Sequence, residues 1–200
     1  MISKEQLLQI INICERSNCW ILSDEVFRGL EHNPDDRLPA VSDLYEKAIS
    51  ISVLSKAFAL PALRVGWISC QNKQILDKTL QVKDYLSICN SLFDEKVATK
   101  LIPHHDRIWE KNRLLLIENL EQLNRHFEKY QNKFKLIQPQ AGCTIFPIIN
   151  AIQTAAEFSE QLIQSKNLML LPNKLFLSKL NGFRLGFGYD HHIDHYQFLS

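Results

Sequence analysis

The stretch Ser55-Lys56-Ala57-Phe58-Ala59-Leu60-Pro61-Ala62-Leu63-Arg64 lies between two short apolar runs, residues 48–54 and 65–70. Runs of this length and composition read as buried strands. A lysine directly after one strand and an arginine directly before the next put two cations, eight residues apart, at the border of a sheet. A third apolar run, residues 20–23, ends on Asp24. Ligands of open α/β sheets bind outside the carboxyl ends of the strands. The chain is therefore expected to form an α/β layer with Lys56, Asp24 and Arg64 around one cleft.

Helices fill the space between and after these runs. Ser3 followed by Gln6 has the spacing of a capping box, opening a helix to about Arg16 with Leu7, Ile10, Ile11 and Cys14 on one face. Residues 32–38 read as a loop. Residues 71–86 form one helical segment, and residues 93–127 carry long amphipathic runs interrupted at Pro103. Short strands are expected at 134–137, 143–148, 168–171 and 182–187, with a helix over 155–166. That order suggests a second, smaller α+β unit. The expected division is 1–105 and 106–200, with the long helices as the join.

Charge is balanced, 23 basic against 22 acidic side chains, which removes any electrostatic case for nucleic acid or an anionic membrane. No apolar run approaches the roughly 20 residues that span a bilayer, and the first residues lack the pattern of a secretory signal. Cys14, Cys19, Cys70, Cys89 and Cys143 are odd in number and contain no Cys-x-x-Cys pair, as expected of reduced thiols in the cytoplasm. His104-His105 and His191-His192 are adjacent pairs whose side chains point apart, so surface histidines rather than metal ligands are expected.

Singly, each candidate has an ordinary structural reading. Lys56 can be a solvated lysine, Asp24 a turn cap, Arg64 an ion-pair partner and Arg184 a sheet-edge arginine. Together and in this order they resemble the class I/II aminotransferases, pyridoxal-phosphate (PLP) enzymes of fold type I. Ser23-Asp24-Glu25-Val26-Phe27 resembles the family's Asp-Glu-Val-Tyr segment. Ser55-Lys56 and Leu63-Arg64-Val65-Gly66-Trp67 resemble its lysine and arginine segment. Gln140-Ala141-Gly142-Cys143-Thr144-Ile145-Phe146 resembles the strand opening the small domain, and Asn181-Gly182-Phe183-Arg184-Leu185-Gly186-Phe187-Gly188 its terminal segment. The loop from Asp24 to Pro39 resembles amino-acid-modifying members of the capreomycidine synthase kind.

The resemblance implies a partial fold type I large domain, with a parallel-rich sheet, joined by long helices to a small α+β domain. It implies pyridoxal 5′-phosphate as cofactor, with amino acids and 2-oxo acids as substrates. Lys56 would be the catalytic Schiff-base lysine, Asp24 the partner of the pyridine nitrogen, and Arg64 the phosphate ligand. Ser55 would be a further cofactor contact, and Arg184 a two-pronged ligand of the substrate carboxylate. Departures from the pattern are Phe27 in place of a tyrosine, Val53 in place of a serine and Pro172-Asn173 in place of Pro-Gly. The family's Asn-Pro-Thr-Gly segment is expected just upstream of Ser3, with the phosphate cradle and stacking ring in an N-terminal half. The chain is thus expected to be N-terminally truncated and weak or inactive alone. The alternatives are half of a two-chain enzyme, or a non-catalytic remnant or interaction protein, and the expected partner is the missing N-terminal half or a homodimer partner.

Overall fold

A computed structural model describes residues 1–189 and divides the chain into two compact units, Met1–Arg113 and Leu114–Ser200. In the first unit, helix α1 (Lys4–Arg16) starts at the expected capping box. Ser3 Oγ accepts the Gln6 N–H, and the Gln6 side chain accepts the Ser3 N–H at 2.8 Å. Strand β1 (Ile21–Asp24), the single helical turn α2 (Val41–Leu44), strand β2 (Ala48–Val53) and strand β3 (Gly66–Ser69) follow. The sheet order is β1-β2-β3. Leu7 and Ile11 of α1 pack against Val41, Tyr45 and Ala48, with Ile21 and Leu38 at the margin. Burying Leu7, Ile11 and Val41 contributes on the order of 2 kcal/mol each.

β1 and β2 are parallel, with Ile21 beside Ala48 and Asp24 beside Ile51, but β2 and β3 are antiparallel. The reason is the connection. Residues 54–65 hold only a turn and the short 3₁₀ segment Pro61–Leu63, whereas a parallel crossover usually needs a helix. The strand at residues 20–23 was expected to be buried, yet Leu22 is 68% exposed and Trp20 is exposed as well. The apolar run encodes a strand, not the presence of a cover for its outer face.

The loop after β1 is held by buried polar groups. Glu25 Oε1 accepts from Ser50 Oγ at 2.6 Å and from the Val41 N–H at 2.9 Å, tying β1 to β2 and α2. Glu31, 6% exposed, accepts the Gly29 N–H and the Arg37 Nε–H, the latter at 2.9 Å. Arg37 in turn lies over the Trp109 ring, 5.1 Å from its centroid. A buried acid needs such partners, because an unpaired charge there costs several kcal/mol.

Helices α3 (Lys73–Leu86), α4 (Leu92–Leu101) and α5 (His105–Glu128) form the middle of the chain, with the 3₁₀ segment Ile102–His104 at Pro103. Residue 105 opens α5, but the units divide within the helix, at Arg113–Leu114. Its first turns belong to the first unit: Asn112 Nδ2 donates to the Ala57 carbonyl at 2.8 Å, and Arg113 donates to the His32 carbonyl at 3.0 Å. Arg113 also chelates Glu110, and that hydrogen bond holds the Glu110 carboxyl below its ordinary range.

The second unit contains β4 (Phe134–Lys135), β5 (Thr144–Ile145), β6 (Ile148–Ile149), α6 (Ala155–Lys166), β7 (Leu171–Pro172) and β8 (Phe183–Gly186). β4 pairs with β6, and β5-β8-β7 form an antiparallel sheet. The single strand expected at 143–148 is two strands, because Pro147 has no N–H for the ladder. The strand expected at 168–171 begins only at Leu171. Phe134 packs edge-on against Phe127 and Phe183, and Leu123, Phe183 and Phe187 are fully buried.

α6 opens at Thr154, whose backbone N–H and hydroxyl both donate to Glu157 Oε2 at 2.8 Å. The backbone N–H first, and then the hydroxyl, hold the Glu157 carboxyl below its ordinary value. Its contribution is therefore present above the unfolded value of about 4.3 and is lost as pH falls through the lowered folded value. Glu157→Gln should be less stable than the parent above about pH 5, and the gap should close towards pH 3. Urea unfolding across that range checks this, and a gap independent of pH would contradict it.

Candidate active site

Parallel pairing fixes the first two candidates. Asp24 ends β1 opposite Ile51, and the Glu25 N–H continues the ladder to the Ile51 carbonyl at 2.9 Å. The β1 terminus and the exit of β2 therefore lie side by side. The turn-cap reading of Asp24 is correct as far as it goes: its Oδ1 accepts the Val26 N–H at 3.1 Å. The turn, closed by the Arg28 N–H on the Glu25 carbonyl at 3.0 Å, presents Phe27 to solvent.

Lys56 leaves β2 after buried Leu54 and half-buried Ser55. Its Nζ lies 5.7 Å from the Phe27 ring centroid, within cation–π range. The amine is thus turned towards the loop that follows Asp24. The backbone behind it is pinned. The Ala59 N–H donates to the Lys56 carbonyl at 2.9 Å, the Leu60 N–H to Leu54 at 3.0 Å, and the Leu54 N–H to Val65 at 3.0 Å. Buried Phe58 anchors the turn between Trp67, 6.3 Å away, and Trp109, 5.7 Å away.

Arg64 returns to the same edge because β3 runs antiparallel to β2. It adopts a left-handed conformation, with φ of 50°, and donates to the Pro61 carbonyl at 2.9 Å. Asp24, Lys56 and Arg64 are all exposed. Arg184 belongs to the second unit. On β8 it alternates outward between buried Phe183 and Leu185, and its guanidinium lies 5.5 Å from the Phe176 centroid. Buried Asn119 steadies the segment after β8 by donating to the Phe187 and Tyr189 carbonyls at 2.9 and 3.1 Å.

The donor set at the sheet edge fits a pyridoxal phosphate. It offers an amine for an aldehyde carbon, a carboxylate for a protonated ring nitrogen, and a guanidinium for a phosphate. Phe27 supplies a ring but no hydroxyl. A polar cavity of about 200 Å³ lies elsewhere, on the serine face of the sheet, bordered by Glu25, Arg28, Ser50, Ser52, Trp67 and Trp109. None of the four candidates of this unit borders it. The alternating Ser50 and Ser52 were its one visible signal, since period-two polarity inside an apolar strand marks a polar face.

Among the described residues no helix is long and apolar enough to cross a membrane, and no three His, Cys, Asp or Glu side chains gather as metal ligands. His105 stacks edge-on against Trp109 at 4.8 Å. His191-His192 lie outside the described residues.

The family description "Aminotransferase class I and II" matches residues 1–195. Capreomycidine synthase of Streptomyces vinaceus is 24% identical over 179 residues, covering 90% of this chain and 45% of that protein. The transcriptional regulator NorG of Staphylococcus aureus is 25% identical over 197 residues, covering 94% and 43%. A crystal structure of a PLP-dependent aminotransferase from Streptococcus suis superposes with a TM-score of 0.85 at 31% identity, covering 94% of this chain and 49% of that one. The chain spans less than half the length of these curated relatives. The mixed α/β architecture is that of PLP fold type I. Matched over nearly its whole length, the chain belongs to the class I and II aminotransferases, a family whose cofactor is pyridoxal 5′-phosphate.

Proposed function

We propose that this chain carries the lysine, carboxylate and arginine portion of a PLP-dependent aminotransferase site for amino acids and 2-oxo acids. The carrying observation is the parallel β1–β2 pair, which sets Asp24 beside the strand that Lys56 follows, with the Lys56 amine over Phe27. Bound pyridoxal phosphate would supply a ring that accepts electrons. Lys56 would hold that group and, when free, move a proton through Nζ to and from the substrate α-carbon. The Asp24 carboxylate would keep the ring nitrogen protonated. Arg64, with Ser55, would hold the phosphate, and Arg184 would take the α-carboxylate of the substrate. Free cysteines fit a reducing compartment, so a cytoplasmic location is part of this reading.

Activity is assigned to an assembly larger than these 200 residues, completed by a further segment, a second chain or a homodimer partner. Support comes from the three-stranded sheet, whose β1 and β3 have neighbours on one side only among the described residues, and from the exposed Leu22. Unpaired edges and bare apolar faces usually meet a partner. One observation favours a non-catalytic reading instead: Asp24 and Arg64 already bond to their own loops, to the Val26 N–H and the Pro61 carbonyl.

An absorbance titration with pyridoxal phosphate distinguishes the two. The parent chain should develop a saturable visible band at one equivalent. Asp24→Ala should need roughly tenfold more cofactor, for loss of one charge-assisted contact. An Asp24→Ala titration that overlays the parent would favour the non-catalytic reading.

A further inference from the structure

Helix α1 ends in a turn that joins the backbones of two cysteines by one hydrogen bond. The Cys19 N–H donates to the Cys14 carbonyl at 2.9 Å, the Asn18 N–H donates to Glu15 at 3.2 Å, and Asn18 is left-handed, with φ of 55°. These are the two hydrogen bonds and the left-handed residue of a Schellman motif, which is frequently accompanied by contact between the side chains at the positions Cys14 and Cys19 occupy. Bond lengths and the trigonal geometry of the Cys14 carbonyl, taken across the 2.9 Å hydrogen bond, cap the separation of their Cα atoms at about 6.8 Å. Disulfides span roughly 4.4 to 6.8 Å between Cα atoms.

The surroundings hold both residues to this corner. Tyr45 Oη donates to the Cys19 carbonyl at 2.8 Å. Cys14 packs at the margin of the cluster that contains Tyr45. The Tyr45 hydroxyl titrates above its ordinary value, held up first by burial and then by Cys14, Glu15, Cys19 and Glu46 around it. Cys19 is exposed and its thiol donates to the Ser17 carbonyl at 3.5 Å, whereas Cys14 is half-buried.

We propose that Cys14 and Cys19 are a redox-active dithiol that closes to a disulfide by exchange with a small disulfide such as oxidised glutathione. The exposed Cys19, as thiolate, attacks one glutathione sulfur, forming a mixed disulfide and releasing one glutathione thiolate. Cys14, as thiolate, then attacks the Cys19 sulfur, forming the internal bond and releasing the second glutathione. The two protons lost by the protein thiols go to the two released thiolates, so two protein thiols are oxidised and one glutathione disulfide is reduced. Because the turn already places the second thiol, its attack is intramolecular and outpaces encounter with another glutathione. The bond clips the end of α1 to the entry of β1, the strand that ends in Asp24. This inference does not depend on the cofactor reading.

The test uses the full chain, reduced and then incubated with oxidised glutathione, alkylated and mapped by mass spectrometry. Trypsin cuts at Arg16, so the closed form appears as two peptides joined through Cys14 and Cys19. That linked pair should exceed glutathionylated Cys19 by more than about tenfold at plateau, while exposed Cys89 carries only the mixed adduct. Cys14→Ser should convert Cys19 to a stable mixed adduct, and Cys14→Ala should do the same if serine perturbs the turn. Mixed adduct on Cys19 in the parent at the level seen in either variant, or no reaction at Cys19 while Cys89 reacts, would overturn the proposal.

Discussion

Gly29→Ala should destabilise the first unit by about 3 kcal/mol, because it combines a backbone penalty with a clash against an aromatic ring. Gly29 has a φ of 97°, and a methyl group there would lie 2.4 Å from Trp109 Cδ2 and 2.8 Å from its Cε2. Trp109 borders the cavity of about 200 Å³ described above, but shifting into it would break the contacts that hold the ring. It is stacked on Phe58 and His105 and lies under Arg37. The Gly29 N–H also donates to both Glu31 oxygens, so moving the loop instead would strain the Glu31–Arg37 pair. Urea unfolding should show a lower midpoint with an unchanged slope. A double variant with Trp109→Ala should recover part of the loss, which isolates the steric share. A change below about 0.5 kcal/mol would contradict the packing described here.

Much of the local structure was legible because it is written in adjacent residues. Ser3 and Gln6 mark the start of α1, and an uninterrupted helical pattern marks α6 at the bounds the structure gives it. The strands leading to Asp24 and Lys56 were legible as apolar runs that stop at a charge. What the sequence could not display were relations between distant groups. Glu31 finds Arg37 nearby, but Trp109, which completes that cluster, comes 78 residues after Glu31 in the chain. The direction of β3 depended on whether residues 54–65 form a helix or a turn, and Pro61 within that stretch was the only local hint. The exposure of Leu22 depended on what covers the sheet, which a strand's own residues do not encode.

The candidate site divides in the same way. Lys56, Asp24 and Arg64 could be named because each sits at the end of an apolar run, and topology then brings those ends to one edge. The contact of the Lys56 amine with Phe27 could not be foreseen, since it depends on the turn that the Glu25 carbonyl and the Arg28 N–H close. Nor could the engagement of Arg64 with Pro61, which follows from its left-handed backbone. Arg184 was named from its motif, and the structure adds its outward place on β8 and its stacking on Phe176.

Lys56→Ala should abolish site-specific attachment of pyridoxal phosphate and lower any transamination by at least about 10²-fold, since it removes both the attachment point and the proton-carrying amine. A methyl group can do neither job. Lys56 is exposed whereas Ala57 and Phe58 behind it are buried, so the fold should survive. The most direct measurement is to add one equivalent of pyridoxal phosphate to the parent chain, reduce with borohydride and locate the pyridoxyl group by peptide mass spectrometry. The structure predicts a single predominant adduct at Lys56, absent in Lys56→Ala with the other lysines unchanged. An adduct spread over several lysines with Lys56 not favoured would contradict the assignment of this edge as a pyridoxal-phosphate site.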